Sequence, residues 1–240
     1  MKLGKFILLF AVAFLMLTGI AAVDAVVENK TVVASGHPDW SPAMYRDDGK
    51  IVGTAPEIVT KAFNSLGMQV DCKYTGSWID VQELGKRGEI DVIVAAYNTS
   101  ERHEYFLYSE NPIMQDNISM FSTQNIIYQG PETFEEYCIA VSLGDSYGEK
   151  LDRFLASNRS VVTVYNNPMD AMDSLSKGND VFLYSTASGN RILKENPMRY
   201  KYVKGEVITS LPFYVLVSKQ SEYVAIMPRI NEALKIYASK

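Results

Sequence analysis

The sequence predicts an α/β protein of two lobes, each a mostly parallel sheet flanked by helices. Three observations point there. Strand-like runs alternate with helically spaced apolar residues from residue 30 onward. That alternation restarts once, near residue 118. A short sequence unit then recurs at corresponding places in the two halves. Strands alternating with helical patterns argue for parallel sheets covered by helices. The composition agrees: 240 residues, 47% hydrophobic and 21% charged, is ordinary for a globular chain and excludes disorder, collagen and a disulfide-dense miniprotein.

The first residues read as a secretory signal peptide over 1–25. Lys2 and Lys5 form a basic start, Phe6 to Leu17 is an unbroken apolar run, and Val23-Asp24-Ala25 suits a cleavage site. The run is short for a spanning helix, which needs about 20 apolar residues. No cysteine follows it to accept a lipid, so an exported, unanchored periplasmic protein is expected.

Lys30 to Ser35 is β-branched and predicts a strand. His37 to Asp48 reads as a loop with Pro38 and Pro42, and Asp47-Asp48-Gly49 as a turn before Ile51-Val52-Gly53. From Pro56 to Leu66 the apolar residues Ile58, Val59, Ala62, Phe63 and Leu66 keep helical spacing, and Gly67 closes the helix. Met68 to Tyr74 alternates as a strand, Trp78 to Lys86 is a short helix, and Asp91 to Ala96 is a buried parallel strand. In the second half, strands are predicted at Ile118 to Ser122, Cys138 to Leu143, Ser160 to Tyr165 and Val181 to Tyr184. Helices fall at Gly148 to Ala156 and Pro168 to Ser176. Pro212 to Ser218 is a last strand and Tyr223 to Ala238 a terminal helix.

The recurring unit is Gly88-Glu89-Ile90-Asp91-Val92 with Arg102 eleven residues after Asp91. Its echo is Gly178-Asn179-Asp180-Val181 with Arg191 eleven after Asp180. Two lobes of like topology place a ligand cleft between them. The expected division is 26–117 plus 212–240 as lobe 1 and 118–211 as lobe 2, with hinge strands near 117–122 and 205–212.

Several function classes have no support. A formal charge of −5 without a basic cluster argues against a nucleic-acid partner. Two histidines, His37 and His103, cannot build a His-rich metal site. Nucleophile elbow, zincin, phosphate-loop and dinucleotide motifs are missing from the sequence, so no catalytic residue, metal or cofactor is expected. Cys72 and Cys138, both in strand-like runs, read as buried free thiols.

Two strand-to-helix junctions stand out. One is Tyr97-Asn98-Thr99-Ser100-Glu101-Arg102, where Asn98 or Thr99 can cap. The other is Gly144-Asp145-Ser146-Tyr147-Gly148, where Asp145 or Ser146 can cap. A helix start suits an anion. Arg102, one turn in, can grip a carboxylate with two parallel hydrogen bonds, or form a surface ion pair with Glu101 or Glu104.

These stretches carry a resemblance. His37-Pro38-Asp39-Trp40-Ser41-Pro42 with Asp48-Gly49-Lys50-Ile51-Val52-Gly53, Trp78 through Asp91, Thr99-Ser100-Glu101-Arg102 with Tyr108-Ser109-Glu110-Asn111-Pro112, and Gly144-Asp145-Ser146 follow one another. In that order and spacing they resemble the solute-binding proteins of family 3, periplasmic receptors of polar amino acid ABC transporters with the type II periplasmic binding fold. The resemblance implies a monomer that captures a small carboxylate-bearing solute between its lobes and delivers it to a transporter permease. It implies that Arg102 binds the α-carboxylate, that Ala95 and Tyr97 meet the ligand, that Trp40 packs over its body, and that Ser146 adds a hydroxyl. His37 stands where the family often has an acidic residue facing the ligand's side chain. Asp145 replaces a hydroxyl residue near the carboxylate, and Ser185 replaces the aspartate that commonly holds the α-ammonium. Ser185 therefore predicts that hydroxy acids bind nearly as well as amino acids, unless Asp145 supplies the charge. Two other roles are compatible with the resemblance. One is an enzyme similar to cyclohexadienyl dehydratase, for which Asp145 or Glu57 would be the general acid. The other is a receptor that presents its ligand-bound form to a membrane kinase.

Overall fold

The computed structural model describes residues 30–238; the signal-peptide expectation lies outside them. No helix among the described residues is long and apolar enough to cross a membrane.

Strand β1 (Thr31–Ser35) pairs in parallel with β5 (Gln69–Cys72) and β6 (Val92–Tyr97). Between β1 and β5 lie β2 (Asp39–Trp40), β3 (Met44–Asp47) and β4 (Lys50–Val52), a small antiparallel sheet in the segment expected to be mostly loop. Helix α1 (Thr54–Ser65) follows Gly53, whose φ of 123° and close approach to the Pro42 carbonyl (2.6 Å from where a Cβ would sit) leave room only for glycine. Its buried face is Ala55, Ile58, Val59, Ala62 and Phe63, at the spacing the sequence shows. Helix α2 (Trp78–Lys86) starts with a reciprocal cap: Ser77 Oγ accepts from the Asp80 N–H, and Asp80 accepts from the Ser77 N–H at 2.8 Å. β6 runs into the four-residue helix α3 (Arg102–Tyr105) and the short strand β7 (Phe106–Tyr108).

The second half repeats the scheme. β9 (Ile139–Ser142) pairs in parallel with β10 (Val162–Tyr165) and β11 (Val181–Ser185), joined by α4 (Glu149–Ser157), and by α5 (Pro168–Asp173) with Asn167 as its cap. The recurring aspartates do equivalent work. Asp91 accepts the Val33 N–H at the start of β1's pairing, and Asp180 accepts the Cys138 N–H just before β9, at 2.9 and 2.8 Å.

The two parallel trios are not separate sheets. β8 (Met114–Ser122) and the fifteen-residue β12 (Lys204–Ser218) pair antiparallel between them. The result is one nine-stranded sheet, ordered β10-β9-β11-β8-β12-β6-β1-β5, with β7 also on β12. The segments 117–122 and 205–212 lie within this central pair. Helix α6 (Thr186–Glu195) packs on β8, and the last helix α7 (Met227–Tyr237) returns to pack on α1. No apolar stripe in the sequence announces α6, because its buried residues are Ser188 and Gly189.

Two local expectations are corrected. Cys138 is exposed, since it precedes β9 instead of lying within it; Cys72 is half-buried, and both are free thiols. Neither junction places a side-chain-capped helix start at the cleft in the way expected. α3 has only four residues, though Thr99 Oγ1 does accept the Arg102 N–H at 3.3 Å. α4 begins after Gly148, not after Asp145 or Ser146, and has no side-chain cap.

Candidate functional site

The carboxyl ends of β1, β6 and β9 bring the distinctive side chains of both halves together. β2 holds Trp40, which is buried against Tyr184 and Tyr97 with ring centroids 4.9 and 5.9 Å away. Tyr97, the last residue of β6, stacks on Phe213 of β12 at 4.5 Å and 4°. Asp116 of β8 lies beneath this aromatic cluster. It accepts from Trp40 Nε1 at 2.7 Å, Tyr97 OH at 2.7 Å and Ser185 Oγ at 3.0 Å. Burial pushes its carboxyl above the ordinary value, and these three donors oppose that shift.

Arg102 is 5% exposed. Its guanidinium donates to Gln82 Oε1 and the Tyr97 carbonyl, both at 3.0 Å, and to the Gly144 carbonyl at 3.4 Å. It also lies 5.2 Å over the Trp78 ring. All these partners are neutral, and no carboxylate among the described residues is within ion-pair distance of it. Burial accordingly holds the guanidinium below its ordinary value. The surface ion pair with Glu101 or Glu104 is not what forms.

The loop after β9 closes the opposite wall. Gly144, at φ 80°, presents its carbonyl to both Trp78 Nε1 (2.9 Å) and Arg102. A Cβ there would lie 2.5 Å from the Ile79 side chain. The Asp145 side chain is fully buried, and its Oδ1 is 3.0 Å from His37 Nε2. Burial pushes the Asp145 carboxyl up, opposed by the His37 hydrogen bond and the nearby Arg102 charge. Ser146 donates to Asp152 Oδ2 at 2.5 Å, so its hydroxyl proton is committed to the first turn of α4.

His37, Trp40, Ala95, Tyr97, Arg102, Asp145 and Ser146 all line one cavity. Ser185 does not; it reaches the cluster only through Asp116. The cavity volume is about 20 Å³, room for a single water. Arg102, Asp145 and Ser146 also border a groove of about 1010 Å³ that opens to the surface. Glu57 is on the exposed face of α1, with its side chain 70% accessible and paired to Lys61, which removes it as a general acid. Among the described residues, no group of three or more His, Cys, Asp or Glu side chains could hold a metal ion.

Sequence reasoning missed Asp116 and Trp78 as site residues. Trp78 lines the cavity and donates from Nε1 to the Gly144 carbonyl. Asp116 did carry a signal: along β8 it shares the inward-facing register of Met114 and Ile118, an unusual place for a charge.

The family model for bacterial extracellular solute-binding proteins, family 3, matches residues 32–236. The chain belongs to that family. Solved structures agree on the fold, a periplasmic binding protein. A histidine kinase sensor domain with similarity to periplasmic binding proteins superposes with a TM-score of 0.73 at 21% identity, covering 86% of this chain and 89% of that one. An ancestral arginine-binding protein bound to arginine gives 0.71 at 22% identity, over 86% and 91%. The arginine-, lysine-, histidine-binding protein ArtJ from Geobacillus stearothermophilus gives 0.70 at 19% identity, over 86% and 88%. No curated protein matches this chain in sequence. The family description is that of binding proteins found outside the cell; at these identities the solved structures speak to fold alone.

Proposed function

We propose that this family 3 protein captures a small carboxylate-bearing solute, an amino acid or related organic acid, between two lobes and passes it to an ABC importer in the periplasm. The lobes are 26–117 with 212–240, and 118–211, after removal of a signal peptide over 1–25. The central strands β8 and β12 act as the hinge near 117–122 and 205–212. One observation carries the reading. Arg102 is a buried cation with only neutral partners, standing where the open groove meets the cavity. A solute carboxylate would make with the guanidinium the paired, charge-assisted hydrogen bonds that no carboxylate among the described residues makes. The walls must part to admit a solute larger than water and close again over it. The protein binds and releases; no bond is made or broken. A sensory role would share this capture step and differ only in the membrane partner.

Thermal shift against a panel of amino acids and organic acids tests the capture step, with small-angle scattering on each hit. A binder at about 100 times its Kd stabilises the folded state by about 2.7 kcal/mol and should shift the scattering toward a more compact form. If no carboxylate raises the melting temperature, the reading fails.

A further inference from the structure

Arg191, the echo of Arg102 in the repeated unit, has work that solute capture leaves unexplained. It follows β11 as Arg102 follows β6, each eleven residues after its aspartate. Arg102, in the first half, reaches the Gly144 carbonyl in the second. Arg191, in the second half, reaches back to the first and donates from Nη1 to Ser41 Oγ. The two arginines thus bridge the halves in opposite directions. Their surroundings differ. Arg102 lines the cavity and is buried, whereas Arg191 does not line it and its side chain is half-exposed. Glu195, one turn further along α6, accepts from Arg191 Nε at 2.7 Å and holds the guanidinium in place.

Arg191 acts with its neighbours on the segment joining β2 to β3. Ser188 Oγ donates to the Ser41 carbonyl at 2.7 Å, and both residues are buried. Tyr184 OH, near the end of β11, donates to the Asp39 carbonyl at 2.6 Å. The Arg191 guanidinium lies 5.2 Å over the Tyr45 ring. Ser188 and Arg191 are three residues apart, which puts them on one face of α6. Gly189 sets how deep the helix lies, since a Cβ there would strike the Phe121 ring of β8. Ser41, Tyr45, Ser188 and Arg191 are all outside the cavity lining and border a separate pocket of about 390 Å³. Every one of these contacts joins residues 26–117 to residues 118–211, so parting the lobes breaks them all.

We propose that Ser188 and Arg191 form a latch on the β2–β3 connection that stabilises the closed lobes whatever solute lies between them. This rests on the two-lobed capture reading above. A contact made only in the closed form adds to the closing equilibrium, and so multiplies the affinity for every solute by one common factor. It slows release for the same reason. The Ser188 bond contributes most, because it is buried, whereas the Arg191 contacts are half-exposed and screened by solvent. The repeated unit therefore supplies two arginines with different tasks: Arg102 faces the solute, and Arg191 faces the opposite lobe.

The test compares the wild type with Ser188→Ala, Arg191→Met and the double variant, using the standard L-amino acids and their 2-hydroxy acid counterparts as probes. Calorimetry gives the Kd of each wild-type binder, stopped flow its release rate, and small-angle scattering the spread of the solute-free protein. The double variant should bind every one of these solutes about tenfold more weakly, a difference of about 1.4 kcal/mol. Release should be faster, the order of preference unchanged and the solute-free form more expanded. Arg191→Met alters only a half-exposed side chain and stays informative should Ser188→Ala fail to fold. Losses that differ among solutes by more than about threefold would overturn the latch, because the residues would then be reading the solute. Affinities and scattering both unchanged would overturn it as well. If no probe binds the wild type, the capture reading fails, and the solute-free scattering alone decides the latch: expansion of the variants supports it, and an unchanged profile sinks it.

Discussion

Replacing Arg102 by methionine separates a binding role from a structural one. The native guanidinium makes three hydrogen bonds, to Gln82 Oε1, the Tyr97 carbonyl and the Gly144 carbonyl. Two of these acceptors keep another donor without it. Tyr108 OH reaches the Tyr97 carbonyl at 3.3 Å, and Trp78 Nε1 reaches the Gly144 carbonyl at 2.9 Å. Only Gln82 Oε1 is left short, at a cost of about 1–3 kcal/mol for a buried acceptor. Against that, a cation that burial disfavours is removed, and methionine refills much of the volume. The net loss of stability should be about 1–2 kcal/mol, or roughly 2–8 °C in melting temperature for a domain of this size. Affinity should suffer more. A charge-assisted hydrogen bond to the solute is worth about 1.5–3 kcal/mol, which is roughly 10- to 150-fold in Kd. Calorimetric melting gives the first quantity, and titration with the best carboxylate binder of the wild type gives the second. Arg102→Lys should restore binding only in part, because lysine cannot make a two-pronged contact. An affinity within about threefold of wild type in Arg102→Met would refute the clamp. A loss of more than about 15 °C would show that the arginine is chiefly structural.

Two further outcomes are expected. Burial pushes the carboxyls of Asp116, Asp145 and Asp152 above the ordinary value of 3.8, so the folded state holds these protons more tightly than the unfolded chain. Their contribution to stability is fully present below 3.8 and is lost as pH rises through the raised values. Asp145→Asn should therefore melt above wild type at pH 8, with the gap closing toward pH 4; a gap independent of pH would contradict this. Cysteine alkylation is the second case. Cys138 is exposed, whereas burial, with Asp71 adding to it, pushes the Cys72 thiol up to about 12. At pH 8 without reductant, Cys138 should be labelled rapidly and Cys72 only on denaturation. Equal rates in the native protein would be inconsistent with that packing, and no adducts after denaturation would mean a disulfide.

Much of the fold was legible because its signals are local. The apolar spacing of α1, the continuous run of β6 and the β-branched β1 follow from helix and strand periods. The paired aspartates, Asp91 and Asp180, were visible as an echo, and their common work is to accept a neighbouring strand's N–H. α6 was not legible, because it buries Ser188 and Gly189 against β8 and so lacks an apolar stripe. The union of both halves into one sheet was equally hidden, since it depends on β8 and β12 pairing across about ninety residues of chain, and strand pairing at that range leaves no local pattern.

The candidate site divides along the same line. The unusual side chains can be picked out along the chain: an arginine after a buried strand, a Gly-Asp-Ser turn after another, and a histidine and a tryptophan in the first loop. Which of their charges are matched is fixed by contacts between distant segments. Trp40 and Asp116 are 76 residues apart, His37 and Asp145 are 108 apart, and Ser185 meets Asp116 across 69. Whether a carboxylate of the site is supplied, as half-buried Asp116 is, or left with an open oxygen, as Asp145 is, depends on donors brought in by distant segments. Local periodicity carries no record of that, because hydrogen bonding and desolvation act through space rather than along the chain.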